Sequence, residues 1–598
     1  MTTHRRASRL ANLLGTLVLS LVACQANAFS GSLRVEGGDD EMEAMLSQAS
    51  LVLAAEAEGT TNPQDILAAA QADYGRLVGA LYDAGYFGPI VRILIDGQEA
   101  AALPPLTRLP AVKKVRILIN PGSKFKFGRA DVGPLAQGTV LPENFRPGKT
   151  AKTGAIRDAA LAAVDGWRNI GHAKADVSNQ QITARHAASE LDVTLAIAPG
   201  PLVRFGRTNV SGESAVKESR IREIAGIPRK EVFDAAVLEA AAKRLRGTGT
   251  FSSVTLREGD LNPDDSMDIA LAVTDAKPRR FGFGAELHSS EGVMLSAFWL
   301  HRNFLGGAER FRVDGAVSGI TGNADDLDYS ISVSLTRPAT ITPETDLFIR
   351  ASLEQLSEPT YFSQQADVTV GFERTVSDTL TTEVGIGYRY SDVRDDLGNR
   401  TFSHLTLPLA LTWDRRSDTL NPRDGTFLRF EAMPYAGLGG SASGGRIYGD
   451  LRGYKAVGET EKLVLAARLQ LGSIVGSSIA DTPPDLLFHS GGSGTVRGHS
   501  YQSLGISSGG NDTGGRSFIG IAGEARLDFT DTLGGVAFYD AGYIGANSFH
   551  DDTGGWHSGA GLGLRYQTGI GPIRLDVATP LSGESSGVQL YLGIGQAF

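Results

Sequence analysis

The chain has a single cysteine, Cys24, among its 598 residues. That residue lies in an N-terminal stretch with the build of a secretory signal. Arg5, Arg6 and Arg9 precede the apolar run Leu10 to Val22, and Ala26-Asn27-Ala28 offers a small-residue cleavage site. Cleavage after Ala28 leaves no cysteine, which excludes disulfides and thiolate metal ligation. Leu21-Val22-Ala23-Cys24 also fits a lipoprotein box, in which Cys24 would instead be retained and acylated. Beyond this stretch no apolar run approaches the ~20 residues of a membrane helix, so any crossing of a bilayer is by strands closed into a barrel. The net charge is −10 and no basic patch is interleaved with aromatics, which argues against a nucleic-acid partner. The ten histidines show no metal-ligand spacing, and no cofactor or nucleotide site is apparent.

What is abundant is glycine, with 74 residues, and repetition. Pro121-Gly122-Ser123-Lys124-Phe125-Lys126-Phe127-Gly128-Arg129 returns as Pro199-Gly200-Pro201-Leu202-Val203-Arg204-Phe205-Gly206-Arg207. A second marker keeps step: Ala84-Gly85-Tyr86-Phe87, Ile170-Gly171-His172 and Thr248-Gly249-Thr250-Phe251. Before each marker the apolar residues follow a helical period: Ile66, Ala70, Tyr74, Leu77, Leu81; Ile156, Ala159, Ala163, Trp167; Leu238, Ala241, Ala242, Leu245. Strand alternation follows in Leu191, Val193, Leu195, Ile197 and in Met267, Ile269, Leu271, Val273. The pattern predicts a signal over 1–28 and three small α/β repeats over 29–121, 122–200 and 201–277, the first the least regular.

From 278 to 598 the helical period is gone. Short alternating segments replace it, as in Val384, Ile386, Tyr388, Tyr390 or Leu405, Leu407, Leu409, Leu411, Trp413 or Leu463, Leu465, Ala467, Leu469, Leu471. Alternation alone suits a soluble sandwich as well as a barrel. The signal, the missing cysteines, the number of segments and an ending on Val588, Leu590, Leu592, Ile594, Gln596 and Phe598 favour a transmembrane antiparallel β-barrel of about sixteen strands.

Within it one stretch differs in kind: Gly491-Gly492-Ser493-Gly494-Thr495-Val496-Arg497-Gly498-His499-Ser500-Tyr501. Glycines let the backbone turn sharply and approach its surroundings closely, and Arg497 stands among them as a permanent charge. Such a loop reads either as an external flexible tip or as a segment folded inward onto acidic partners. Register supplies the partners. Ile519, Ile521, Ala525, Leu527 and Phe529 share one face, so Glu524, Arg526 and Asp528 take the other. With Ala537, Tyr539, Ala541 and Tyr543 outward, Phe538, Asp540 and Gly542 point to the lumen.

These residues resemble the BamA/TamA superfamily of outer-membrane barrel-assembly proteins, and within it the TamA type. Its inward loop carries Val-Arg-Gly-aromatic, matched by Val496, Arg497 and Gly498, with His499 in place of the aromatic. Its Phe-x-Asp-x-Gly motif is matched by Phe538, Asp540 and Gly542, and its lumen glutamate by Glu524. The resemblance implies that the repeats are periplasmic POTRA domains and that the chain sits in a Gram-negative outer membrane, in contact with lipid, without enzymatic activity. It implies unfolded outer-membrane or autotransporter-like clients and an inner-membrane-anchored partner of the TamB type. A two-partner secretion transporter or a phospholipid conduit are the alternatives. The expected exit is a seam where the first barrel strand, with Phe281, Gly282, Phe283 and Gly284, pairs with the last, with Gly593, Gly595 and Phe598. Ala285 and Leu287 are expected outward with Phe281 and Phe283.

Two strings that suggest other chemistry carry little. Gly505-Ile506-Ser507-Ser508-Gly509 has the nucleophile-elbow spacing but no strand-turn-helix setting. Asn323-Ala324-Asp325-Asp326-Leu327-Asp328 could hold calcium, though an acidic surface loop accounts for it.

Overall fold

The computed structural model describes residues 29–288, 292–320, 327–458, 460–508, 510–569, 571–582 and 587–598. The expected signal with Cys24, Asn323 to Asp326 of the acidic loop, Gly509, and the side chains of Ala285 and Leu287 lie outside what is described.

The first repeat places strands Ser30–Val35, Lys114–Asn120, Ile90–Ile95 and Gln98–Glu99 side by side, the first two parallel. Across them lies the helix Pro63–Ala84. Asn62 caps it by accepting from the Gln64 amide, Pro63 opens its first turn, and Gly85 ends it in the left-handed region. Its face of Ile66, Ala70, Leu77 and Leu81 packs with Val115, Ile117 and Ile119 in one core. The second repeat pairs Glu190–Ala198 with Lys126–Gly133 on one side and Asp176–Arg185 on the other, over the helix Thr153–Arg168. The third orders Arg204–Ser211, Ser266–Asp275 and Phe251–Leu261, with helices Glu218–Ala225 and Ala235–Gly247. Chain contacts divide the molecule into two compact units. One holds the chain up to Phe205 with Lys230–Ala236 and Leu261–Met267, and the other holds the rest of the third repeat together with everything to Phe598.

Among the described residues the C-terminal region is a single antiparallel sheet of seventeen strands taken in chain order, from Arg279–His288 to Gln589–Ile594. The spacing predicts about sixteen, and one segment accounts for the difference. Leu405 to Trp413 alternates as one strand would, yet it is broken into Gly398–Thr406 and Leu409–Asp414, both paired to the same two neighbours. Pro408 has no amide hydrogen to give to a ladder, and the strand breaks there. Outward and inward faces otherwise follow the alternation: Val384, Ile386, Tyr388 and Tyr390 are exposed, while Gly385, Gly387 and the Arg389 side chain lie on the inner face. Tyr543 departs from it. An outward position by register, it is buried, because the turn after its strand folds over it and gives its hydroxyl the Asp551 carbonyl as acceptor at 2.5 Å.

The ends of the sheet correct two further expectations. The first and last strands approach to within 8 Å between Cα atoms, but no hydrogen-bond ladder joins them among the described residues. The last strand stops at Ile594. Gly595, at φ +87°, turns the chain out of strand geometry, so Gln596 and Phe598 leave the outward row that the sequence spacing suggests. Phe598 is buried beside Tyr454, Ala466 and Ala522. At the other edge Phe281 and Phe283 are exposed, Gly282 sits beneath the Phe298 ring of the neighbouring strand, and Gly284 faces the Ser296 hydroxyl. Gly593 faces the Arg574 guanidinium.

Candidate functional site

Between strands Leu463–Val475 and Ser517–Asp528 the chain makes its longest excursion, 476–516, and this carries the Arg497 stretch. Its two legs are tied to each other by bridges from Phe488 to Gly515 and from Ser490 to Leu504. At the tip the Gly492 amide donates to the His499 carbonyl at 3.1 Å, and the Gly491 amide to Thr495 Oγ1 at 2.9 Å. Gly498 has φ +101°, and a Cβ there would lie 2.6 Å from the backbone of Thr579. Only glycine satisfies both conditions. The wall is hollowed to match, since side chains at Gly542 and Gly559 would strike Val496 and the Arg497 carbonyl. The loop therefore lies flat on the inner surface of strands Leu533–Gly545, Gly555–Tyr566 and Ile573–Pro580.

Arg497 is 2% exposed. Its Nε and Nη2 donate to the two oxygens of Asp540 at 2.7 and 2.9 Å, a fork-to-fork pair, and its amide donates to Asp540 as well at 3.1 Å. Nη1 reaches Glu524 at 2.7 Å and Asp576 at 3.4 Å. The guanidinium carbon stands 3.5 Å over the centre of the Phe538 ring, so that side chain supplies a π face as well as bulk. The inward reading of the loop thus describes its position, and Val496, Arg497, Gly498, Glu524, Phe538, Asp540 and Gly542 meet at one place. His499 joins them through a contact an aromatic hydrocarbon would not make: Nε2 lies 3.1 Å from the Ser558 carbonyl.

Burial of one cation with three carboxylates would leave an excess of negative charge. Two further arginines offset it. Arg526 donates to Glu524 at 2.8 Å and Arg565 to Asp576 at 2.5 Å, giving three guanidiniums for three carboxylates. Both reach the turned-in chain end, Arg526 donating to the Phe598 main-chain oxygen at 3.1 Å and Arg565 to Gln596 at 2.7 Å. Tyr591, on the last strand, accepts from the Gly498 amide at 3.0 Å. The loop tip, the last strand and the chain end are therefore parts of one buried polar network. Asp576, Arg565 and Tyr591 escaped the sequence reading. Alternation in Ile573, Leu575 and Val577 would have turned Asp576 inward, but no motif marks it.

Elsewhere in the loop, burial pushes the His489 imidazole down to about 4, so it is neutral at physiological pH. Ser507 lies in the short hairpin Ile506–Ser508 with Asn511–Thr513, with no helix after it. Among the described residues no group of three His, Cys, Asp or Glu side chains gathers as a metal site.

Comparison with known proteins adds to this geometry. Residues 303–598 match the Omp85 superfamily domain, and 203–274 match the surface antigen variable number repeat, POTRA. The chain is 22% identical over 499 residues to the outer membrane protein assembly factor BamA of Neorickettsia risticii, covering 77% of this chain and 64% of the relative. It thus spans less than two thirds of that relative's length. The crystal structure of BamA from Haemophilus ducreyi lacking POTRA domains 1-3 has a similar fold, with a TM-score of 0.61 at 16% identity, covering 79% of this chain and 99% of that one. CdiB from Acinetobacter baumannii aligns with a TM-score of 0.49 at 14% identity, covering 78% and 89%.

Proposed function

From the premise that the chain carries an Omp85 superfamily domain preceded by a POTRA repeat, we propose that it is an outer-membrane factor for protein assembly or secretion, without enzymatic activity. The repeats, taken as 29–121, 122–200 and 201–277, face the periplasm and receive unfolded clients as an added strand. Asp176–Arg185 suits that role, being the edge of its sheet and exposed over most of its length. Clients then pass to the barrel, 278–598, at the seam where the first and last strands share no ladder among the described residues. In finer detail the chain acts as a TamA-type subunit, with autotransporter-like clients and a TamB-type partner anchored in the inner membrane. No nucleotide is required, because the client's own strand pairing supplies the driving force.

The observation that carries this reading is the Arg497 network, which joins the inward loop to the last strand and so to the seam. Removing one partner from a desolvated charge cluster costs ~3–5 kcal/mol. Arg497→Ala in proteoliposomes should still give a heat-modifiable barrel but insert a urea-unfolded client barrel at least several-fold more slowly, as read by protease protection. Arg497→Lys should restore only part of the rate, since an ammonium cannot fork onto Asp540. Wild-type insertion by Arg497→Ala, with its loop shown by proteolysis to be released, would refute the reading. Release of a soluble client across the bilayer without insertion would favour the secretion alternative, and lipid transfer without either would favour the phospholipid conduit.

A further inference from the structure

The Arg497 network holds the loop's tip against strands near the C-terminal end of the sheet. The leg that leads to the tip is held elsewhere. Ser477 lies 2.6 Å from the Tyr435 hydroxyl, Arg400 donates to the Ala480 carbonyl, and Arg446 donates to the Leu486 carbonyl at 3.1 Å. The central contact is an ion pair between Asp485 of the loop and Arg389 of strand Leu380–Asp395, where Gln365 also accepts from Arg389 and Asp367 stands at 3.8 Å. Its polarity is the reverse of the other. At the tip the loop brings the cation to acids on the wall, whereas here it brings the acid to a cation on the wall.

The two attachments are also unequal. Arg497, Glu524 and Asp540 have side-chain exposures of 2, 0 and 1%, against 13% for Arg389 and 9% for Asp485. Arg389 Nε and Asp485 Oδ1 are buried without a hydrogen-bond partner among the described residues. Two residues further along, the leg is sealed, with Phe488 filling the space a side chain at Gly472 would take and Leu487 and Phe488 buried with Ile474, Phe518 and Ile544. The pair instead borders a cavity of about 940 Å³ inside the sheet, whose wall includes Arg312, Arg350, Glu383 and Glu431. A polar cavity of that size admits water, and water weakens an ion pair at its margin far more than one fully enclosed.

We infer that the inward loop is fastened by two locks of opposite polarity, and that the Arg389–Asp485 pair is the one that yields, controlling ion passage through the barrel. When it opens, residues 478–486 leave the wall while Leu487, Phe488 and Ser490 stay packed and the tip stays on Asp540. The charged cavity then becomes continuous with solvent on the side where the loop enters. This is a property of the empty barrel and holds whether or not the protein assembles clients.

The test is single-channel recording of the purified full chain in planar bilayers, with no client present. Asp485→Asn, nearly the same size but neutral, should raise the open probability or the open-channel current at least threefold. Arg389→Gln should do the same, and the double variant should add little to either, as expected of partners in one interaction. Asp485→Glu keeps the charge and should stay near wild type, whereas a residue with only a packing role would be disturbed by both changes. In parallel, Leu486→Cys, buried in the wild-type loop, should react with a water-soluble maleimide at least fivefold faster when combined with Asp485→Asn. Wild-type current and labelling in Asp485→Asn, or effects of the two single variants that simply add, would overturn the inference. So would an Asp485→Glu variant as leaky as Asp485→Asn.

Discussion

In the first repeat the apolar face of Pro63–Ala84 is covered by the repeat's own strands and helices, with sixteen buried residues that all belong to 29–119. In the third repeat the helices Glu218–Ala225 and Ala235–Gly247 borrow part of their cover from the barrel. Ala308 and Ala339, on two barrel turns, are buried in the same cluster as Ile221, Ile224 and Leu245. The polar contacts divide in the same way. Asp73 of the first repeat, fully buried, accepts from Ser50 Oγ and from the Leu51 and Val52 amides within its own repeat. Arg220 of the third donates to the carbonyls of Pro338 and Ala339, Arg244 pairs with Glu344 at 3.0 Å, and Thr250 Oγ1 donates to the Arg302 carbonyl at 2.7 Å. Two domains of one general kind can therefore differ in whether they are folding units at all. One closes its core and can melt alone, and the other shares its core and must melt with what it shares.

The most drastic way to break the comparison is deletion. Removing 29–200 should leave a barrel that shows the heat-modifiable shift on gels at close to the wild-type yield. Removing 201–277 uncovers Ala308, Ala339 and their turns, and the yield of heat-modifiable barrel should fall about tenfold or more. Equal yields from the two deletions would mean that the shared core contributes nothing to barrel folding.

A finer comparison removes one polar anchor from each repeat. Asp73→Ala orphans three donors, two of them buried, and Arg220→Ala orphans two buried carbonyls, each a loss of about 2–3 kcal/mol. The sizes are similar but the reach should differ. Asp73→Ala should abolish hydrogen-exchange protection in Pro63–Ala84 and leave the barrel strands as they were. Arg220→Ala should weaken protection in the third repeat and also in the strands on either side of 338–344. If the Arg220→Ala effect stops at the repeat, the turns are merely resting on it.

The same contrast explains what could be read in the sequence. The period of Ile66, Ala70, Leu77 and Leu81 shows a closed amphipathic helix, and Gly85, Gly171 and Gly249 as helix stops all have positive φ. Alternation fixed which way Glu524 and Asp540 point, because a shift of one residue would have placed them in lipid. What stayed hidden depends on partners distant along the chain. Nothing near Ala308 or Ala339 announces that helices far earlier in the chain will cover it. The partners of the loop tip beyond the motif, Asp576 and Tyr591, likewise sit at positions that no motif marks. The lack of a ladder at the seam among the described residues, and the inward turn at Gly595, are properties of how the sheet ends meet, which alternation does not encode.

The smallest expected difference between the two repeats is in their response to acid. In the first, Glu99 accepts from the Tyr74 hydroxyl, from the Ile93 amide at 3.0 Å and from Arg92 at 3.2 Å. Burial opposes its charge, but these hydrogen bonds outweigh burial and hold its pKa below the usual carboxylate range. A depressed carboxylate stabilises the fold above the pKa of the unfolded chain, near 4.5, and loses that contribution as pH falls through the folded value. Because Glu99 is partly in solvent, the amount is under ~1 kcal/mol. The matching anchors of the third repeat, Arg220 and Arg244, are guanidiniums rather than carboxylates. Acidification from pH 6 to 3 should therefore loosen Pro63–Ala84 through Glu99, and Glu99→Gln should lower stability at pH 6 while flattening its fall with acid. Hydrogen exchange of that helix in the two proteins measures the difference. If wild type and Glu99→Gln lose protection with the same slope, Glu99 does not link the first repeat to pH, and the acid response must come from other carboxylates.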